Sequence, residues 1–112
     1  MGYDGIVTEQ EFQTHSDAAL NDLYKRLSHA AEDHDFEADF NSGALAVEFE
    51  DPPGKFVVSP NSPVRQIWVS AHSRSFKFDW DEAKKAFVLS GQTLAEMMAE
   101  AIGQQLQEPV NL

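Results

Sequence analysis

The sequence predicts an α+β fold: a two-layer α-β sandwich in which an antiparallel sheet of about six strands carries an N-terminal and a C-terminal helix on one face. Three observations predict it: helical periodicity at both ends, a period of two in between, and turn sequences separating the alternating segments. The 112 residues suffice for one hydrophobic core and not for two. We therefore expect a single domain over 1–112, with residues 1–7 flexible.

The first helix is predicted over 8–31. Thr8 followed by Glu11 is a capping-box pattern, and apolar residues then recur at helical spacing. At ~100° per residue, five polar side chains fall within about 40° of each other on a stripe beside the apolar face. They are Glu11, His15, Asp22, His29 and Asp33. The helix is therefore expected to carry an acidic, histidine-bearing flank.

Alternation of apolar and polar residues predicts the strands. Carboxylates at 35, 37 and 39 alternate with apolar residues at 36, 38 and 40, and the pattern resumes over 45–50 after the turn Asn41-Ser42-Gly43. Asp51-Pro52-Pro53-Gly54 is predicted as the next turn. Further strands are predicted at 55–59, 66–71, 75–80 and 86–89. The proline-containing segment Ser59-Pro60-Asn61-Ser62-Pro63 is not expected to continue a central strand.

The rest of the core is predicted from the fifth strand and a closing helix. Phe76, Phe78 and Trp80 alternate with polar residues and are predicted to be buried together. Thr93 with Glu96 forms a second capping box, which starts a helix predicted over 93–106.

Trp68 lies on the polar side of its predicted strand. Ile67 and Val69 point one way, and Gln66, Trp68 and Ser70 point the other. One interpretation buries Trp68 beneath the helices, as is usual for aromatic side chains. We favour the opposite orientation, because an inward Trp68 would carry Gln66 and Ser70 towards the core, each costing about 1–3 kcal/mol if unpaired. A tryptophan on an open sheet face is typical of a protein-binding hot spot.

The charge is strongly negative and unevenly placed. The net charge is −11, and the first 51 residues hold thirteen acids and two bases, whereas the remainder holds six of each. Solubility alone does not require this segregation, so we interpret the acidic half as a functional surface. The charge opposes phosphate backbones and anionic lipids, so we expect no nucleic-acid and no membrane partner. Without cysteine, any sulfur chemistry belongs to a partner.

Five segments resemble one known family. They are the acidic run through Asp33, Asp35, Glu37 and Asp39, then Asn41-Ser42-Gly43-Ala44-Leu45-Ala46-Val47-Glu48-Phe49, Pro63-Val64-Arg65-Gln66-Ile67-Trp68-Val69-Ser70, Phe78-Asp79-Trp80 and Thr93-Leu94. From about Glu9 to Pro109 the chain resembles the frataxin family, including its bacterial CyaY-type members. The resemblance implies an iron–sulfur cluster assembly protein that binds iron, Fe(II) or Fe(III), weakly and docks on cysteine desulfurase and its scaffold protein. It implies a monomer that can oligomerise with iron, in the bacterial cytoplasm or alternatively the mitochondrial matrix.

The resemblance also implies which residues form the sites. Iron is expected on an acidic ridge of the first helix and first strand. The expected ligands are Glu11, Asp22, Glu32, Asp33, Asp35, Glu37 and Asp39, with His15, His29 and His34 ranked below them because a lone surface histidine is more often not a ligand. Partner contacts are expected on the exposed sheet face, at Asn61, Gln66, Trp68 and Lys77.

Strand geometry favours weak cation binding at such a ridge. Asp35, Glu37 and Asp39 would recur every ~6.6–6.8 Å, whereas metal–oxygen distances are only ~2.0–2.6 Å. One closed cage is therefore difficult to build, and several open, hydrated carboxylate sites are expected. Such sites suit Fe(II) and admit Mn(II), Co(II) or Ca(II) in its place.

Two other functions stay open from the sequence. Surface carboxylates could gather Fe(II) for a ferroxidase or iron-storage activity, and an acidic domain could mimic nucleic acid and block a basic groove. The mimic accounts for the charge but not for Trp68. The sequence has no nucleophile elbow, phosphate loop, dinucleotide fingerprint or His-Glu-x-x-His motif, so apart from the ferroxidase question we expect no enzyme.

Overall fold

A computed structural model describes residues 8–112, so the expectation for residues 1–7 lies outside the described residues. Two helices pack on one face of an antiparallel sheet. Their order is α1 (Glu9–Ala30), β1 (Glu37–Asn41), β2 (Ala44–Glu50), β3 (Pro53–Asn61), β4 (Gln66–Ala71), β5 (Arg74–Asp81), β6 (Ala86–Leu89), β7 (Gln92–Thr93) and α2 (Leu94–Leu106), with a short 3₁₀ turn at Ser62–Val64. Within the described range the sheet has seven strands, paired in chain order from β1 to β7. The predicted α+β architecture is confirmed, and the extra strand is the two-residue β7 beside β6.

Both predicted capping boxes are present. The Thr8 hydroxyl accepts from the Glu11 amide at 3.0 Å, and the Glu11 carboxylate accepts from the Thr8 amide at 3.0 Å. At α2, Thr93 and Glu96 make the same reciprocal pair at 3.2 and 2.9 Å. These bonds satisfy amides that have no partner inside the helix. They explain why both helix starts agree with the sequence prediction to within one residue.

The core lies between the helices and one face of the sheet. The most deeply buried side chains include Phe12, Leu20, Leu23, Leu27, Leu45, Phe56, Val58, Ile67, Phe78, Met98 and Ile102. Phe76, Phe78 and Trp80 all point to this side, but only Phe78 is fully buried. All three contribute to the core as predicted, but Phe76 and Trp80 are less buried than expected, because they lie at the margin of the core.

Strand β3 is longer than its prolines suggested. The turn predicted over 51–54 extends two residues too far, since β3 already starts at Pro53. The prediction that 59–63 would not continue a central strand is also wrong in part, since β3 runs on to Asn61. Pairing with β2 stops at Val58, so Pro60 pairs only with Ile67 of β4. Proline is tolerated there because β2 no longer pairs with β3 at this position, so the missing N–H removes no hydrogen bond to β2.

The C-terminal tail packs back against the rest of the chain. Val110 is buried, and the Arg26 guanidinium of α1 donates to the Leu112 carbonyl at 3.1 Å. His34 Nδ1 lies 2.5 Å from Glu108 Oε2. These contacts fasten the tail to α1 and to the segment before β1. No helix within residues 8–112 combines the length and the hydropathy needed to cross a bilayer.

Adjacent residues of β4 give a direct test of this layering. Ile67 is fully buried on the helix side, whereas Trp68 lies partly exposed on the other side. Ile67→Ala is expected to lower the free energy of unfolding by about 2–5 kcal/mol because it leaves a cavity. Trp68→Ala is expected to cost about 1 kcal/mol. Urea denaturation measures both, and an equal or larger loss at Trp68 would contradict the assigned faces.

Candidate functional site

Within residues 8–112 one side of the sheet carries no helix, and we call it the outer face. The cross-strand pairs Asn61–Gln66, Gln66–Asp79 and Trp68–Lys77 share this face. The structure therefore brings together the four predicted partner residues, Asn61, Gln66, Trp68 and Lys77. The preferred orientation of Trp68 is confirmed, since Ile67 and Val69 are buried on the opposite side.

Trp68 is held by its neighbours rather than freely exposed. Its indole N–H donates to Gln66 Oε1 at 2.9 Å, and Gln66 Nε2 donates to Asp79 Oδ1 at 3.1 Å. The Lys77 ammonium lies 4.9 Å from the ring centroid, within cation–π range. These contacts partly cover the ring and satisfy its only donor.

The second tryptophan is committed to internal contacts. Trp80 stacks on His15 with a centroid separation of 3.8 Å, and its indole donates to Glu82 at 2.8 Å. A hydrogen bond from the Lys85 ammonium, followed by that from Trp80, holds the pKa of the Glu82 carboxyl below its usual range. Trp80 is thus a structural side chain, and Trp68 is the tryptophan that faces outward.

A second feature of the molecule is its acidic end, which we define as residues 32–39 together with Glu48 and Glu50. Glu32 and Asp33 lie in the turn after α1, Asp35 precedes β1, and Glu37 and Asp39 project outward from β1; all are exposed. Helix α1 ends at Ala30, so Asp33 lies in this turn and not on the helical stripe. The structure therefore gathers five of the seven predicted carboxylate ligands into one region.

The sequence prediction missed the contribution of β2 to this acidic end. Glu48 stands directly opposite Glu37, and Glu50 lies two residues further on the same side. A cleft of about 370 Å³ is lined by both, together with His34, Asp35 and Glu37. The signal was available in the sequence: a two-residue turn at Ser42-Gly43 pairs Asn41 with Ala44, and counting back from it sets Glu37 opposite Glu48.

Glu11 and Asp22 lie on α1, before the turn that holds Glu32 and Asp33. At ~1.5 Å per residue, Glu11 is about 28 Å along the helix from Ala30 and Asp22 about 12 Å. Strand β1 runs back beside α1, since its Phe40 packs against Tyr24.

The carboxylates of Glu11 and Asp22 also have partners, since Glu11 caps α1 and Asp22 pairs with Arg26 at 2.7 Å. Glu11 is too far along the helix to share an ion with Asp35, and within residues 8–112 Asp22 joins no group of three or more candidate ligands, so the service of these two carboxylates as ligands stays a prediction.

The three candidate histidines have different surroundings. His15 stacks on Trp80, and His34 pairs with Glu108. His29 is exposed in the last turn of α1. His15 and His34 thus already contact other side chains, whereas His29 points to solvent. That any of the three serves as a metal ligand stays a prediction.

The acidic end offers oxygens without a closed cage. Across residues 8–112, no group of three or more His, Asp or Glu side chains converges closely enough to enclose a metal ion. Glu37 and Glu48 nevertheless place like charges directly opposite each other, which destabilises the sheet, while Lys55 faces Glu48 from β3 on the other side. A hydrated divalent cation would relieve this repulsion, so the geometry is suited to weak and exchangeable binding.

The fold and this surface together define a class of protein: a small acidic α-β sandwich whose open sheet face offers both a tryptophan and a carboxylate cluster. The family model described as the frataxin-like domain matches residues 6–108. The chain belongs to the frataxin family, as the sequence resemblance indicated.

Similar proteins from bacteria agree with this assignment. The chain is 35% identical over 98 residues to the iron–sulfur cluster assembly protein CyaY of Azotobacter vinelandii, covering 80% of this chain and 88% of the relative. It is 30% identical to the CyaY protein of Tolumonas auensis, covering 71% and 76%. A solved frataxin structure from Psychromonas ingrahamii superposes with a TM-score of 0.72 over 94% of this chain and 97% of the other, at 24% identity, which supports the fold.

The acidic end generates a stability prediction. For a dissociation constant of about 1 mM, 10 mM Mn(II) at low ionic strength should raise the melting temperature by roughly 5–10 °C, because the cation prefers the folded state. The ridge triple, Asp35→Asn, Glu37→Gln and Asp39→Asn, should remove most of this increase. Differential scanning calorimetry measures it.

The matched control removes three exposed carboxylates elsewhere. This remote triple is Glu9→Gln, Asp17→Asn and Glu100→Gln, and it should keep the cation effect. Equal responses in the two triples would mean general charge screening and would refute the site.

Proposed function

We propose that this protein serves iron–sulfur cluster assembly as an iron-responsive adaptor that docks on cysteine desulfurase and its scaffold protein. The observation that supports the proposal most strongly is the outer face, on which Trp68 and the outward carboxylates of β1 and β2 share one side of the sheet, with no helix of residues 8–112 over them. Support also comes from the relatives, which are named iron–sulfur cluster assembly proteins. Those relatives are bacterial, which favours the bacterial cytoplasm over the mitochondrial matrix.

The two features are close enough to enter a single interface. Glu48 and Trp68 are two strands apart, and the register offsets them by four residues along β3. At ~4.8 Å between strands and ~3.4 Å per residue, they lie about 17 Å apart. A standard interface buries ~800 Å² on each partner, which is wide enough to span both.

Each feature suits a different part of docking. The acidic end presents exposed carboxylates that attract a basic surface and so raise the association rate. Trp68 offers a large ring that is already held in place, as interface hot spots usually are. The proposed desulfurase surface is therefore basic around an apolar contact for the indole.

Iron enters the proposal as cargo or signal. The open carboxylates can take Fe(II) with its water and release it again, because no cage formed by the described residues 8–112 encloses the ion. Binding there lowers the negative charge of the docking surface. Iron would thus adjust the encounter with the desulfurase, and the sulfur chemistry stays with the partner since the chain has no cysteine.

The proposed adaptor catalyses no reaction, and each alternative function would give a different experimental result. A ferroxidase would consume oxygen when Fe(II) is added to the protein alone, and iron storage would appear as iron-dependent oligomers. A nucleic-acid mimic would bind DNA-binding proteins instead of the desulfurase. The Trp68 cluster favours the adaptor, because charge mimicry needs no ordered indole.

The test is binding to the cognate desulfurase–scaffold complex by surface plasmon resonance. Trp68→Ala should weaken binding about 30-fold or more, mainly through faster dissociation. The ridge triple should slow association and flatten its dependence on salt.

Two controls match these variants. Trp80→Phe alters the tryptophan on the helix side, and the remote triple removes the same number of charges. Both should bind like the native protein. Native-like binding by both Trp68→Ala and the ridge triple would refute the proposed docking surface.

A further inference from the structure

A hydrogen-bonded chain runs across the outer face from Asp79 to Trp68. Asp79 Oδ1 accepts from Gln66 Nε2 at 3.1 Å, and Gln66 Oε1 accepts from the Trp68 indole at 2.9 Å. The strand register creates it, because Gln66 lies opposite Asp79 and two residues from Trp68 on the same side. Asp79 therefore reaches the indole through one intermediate amide.

The chemistry of the three groups allows only one orientation of that amide. An indole N–H can only donate, and an ionised carboxylate can only accept. Gln66 must therefore turn its oxygen to Trp68 and its NH₂ to Asp79, and a flipped amide would lose both bonds. Asp79 thus reinforces the orientation of Gln66 that the indole donor also requires.

Lys77 completes the support from another direction. Its ammonium lies 4.9 Å from the Trp68 ring centroid, while Gln66 holds the N–H edge. Two different contacts therefore restrict the ring. Among residues 8–112, Lys77 makes no salt bridge to a carboxylate, so its charge is directed to the ring.

We propose that Asp79 is a positioning residue: acting through Gln66, it holds the Trp68 ring in its docking orientation before the partner arrives. The inference rests on the proposed docking through Trp68 and adds a residue to it. Binding a ring that is already ordered avoids part of the entropic cost of association. Asp79 therefore favours binding without touching the partner.

The first test uses the free protein, labelled with ¹⁵N. Trp68 and Trp80 give the only two indole N–H signals, so Trp80 is an internal reference. Asp79→Leu removes the acceptor at similar size and should speed hydrogen exchange of the Trp68 indole about three- to tenfold. Asp79→Asn keeps an amide oxygen as acceptor and should leave the exchange close to native.

Two outcomes of this test would overturn the inference. One is an unchanged Trp68 signal in Asp79→Leu. The other is an equal effect of both variants, which would assign the change to lost charge instead of a lost hydrogen bond. An unchanged melting temperature and an unchanged Trp80 signal establish that the variants fold.

The second test is a double-mutant cycle on binding to the desulfurase–scaffold complex. Asp79→Leu should weaken binding about three- to tenfold in the native background. In Trp68→Phe, which has no indole N–H, the same change should have no further effect. An equal loss in both backgrounds would mean that Asp79 contacts the partner directly and would refute its positioning role.

The two tests separate the inference from the function on which it rests. If the native protein fails to bind the complex, the proposed function is wrong, and the exchange measurement still decides whether Asp79 orders the indole. If binding is normal and the exchange is insensitive to Asp79→Leu, the positioning role alone is wrong.

Discussion

The whole arrangement depends on covering one side of a sheet and leaving the other side open. Side chains alternate along a strand, so each buried residue of β4 has neighbours that must face water. Ile67 and Val69 anchor the strand against the helices, and this fixes Trp68 on the outer face. The same constraint directs Glu37 and Glu48 outward from β1 and β2. The core therefore determines where the functional surface lies.

That surface accepts local costs which a purely structural sheet would avoid. Glu37 opposite Glu48 is a repulsive pair, and a partly exposed indole gains less from burial than one in the core. The surrounding contacts limit these costs. Gln66 accepts the hydrogen bond of the Trp68 indole, and Lys77 partly covers the ring. The buried core supplies the stability. Among residues 8–112 the carboxylates of Glu37, Asp39, Glu48 and Glu50 make no salt bridge, although Lys55 lies opposite Glu48, and this leaves them able to attract cations or a basic protein surface.

Local sequence signals predicted what depends on nearby residues. The capping boxes at Thr8 and Thr93 located both helices, and Gln66 with Ser70 indicated the orientation of Trp68. Contacts between distant segments were beyond such signals. The His15–Trp80 stack needs α1 to be placed over β5, and the two-residue strand β7 has no period to detect. Residue spacing on a helix also suggested one continuous ridge, whereas its length separates Glu11 from the acidic end.

The proposed function requires that the outer face, and not the helical face, meets the partner. Chemical-shift mapping measures this when ¹⁵N-labelled protein is titrated with the unlabelled desulfurase–scaffold complex. We expect changes at the Trp68 indole and at amides of β1 to β5, including Glu48 and Lys77, with the Trp80 indole and α2 unaffected. Changes confined to α2 and the outward side of α1, with Trp68 unmoved, would contradict it.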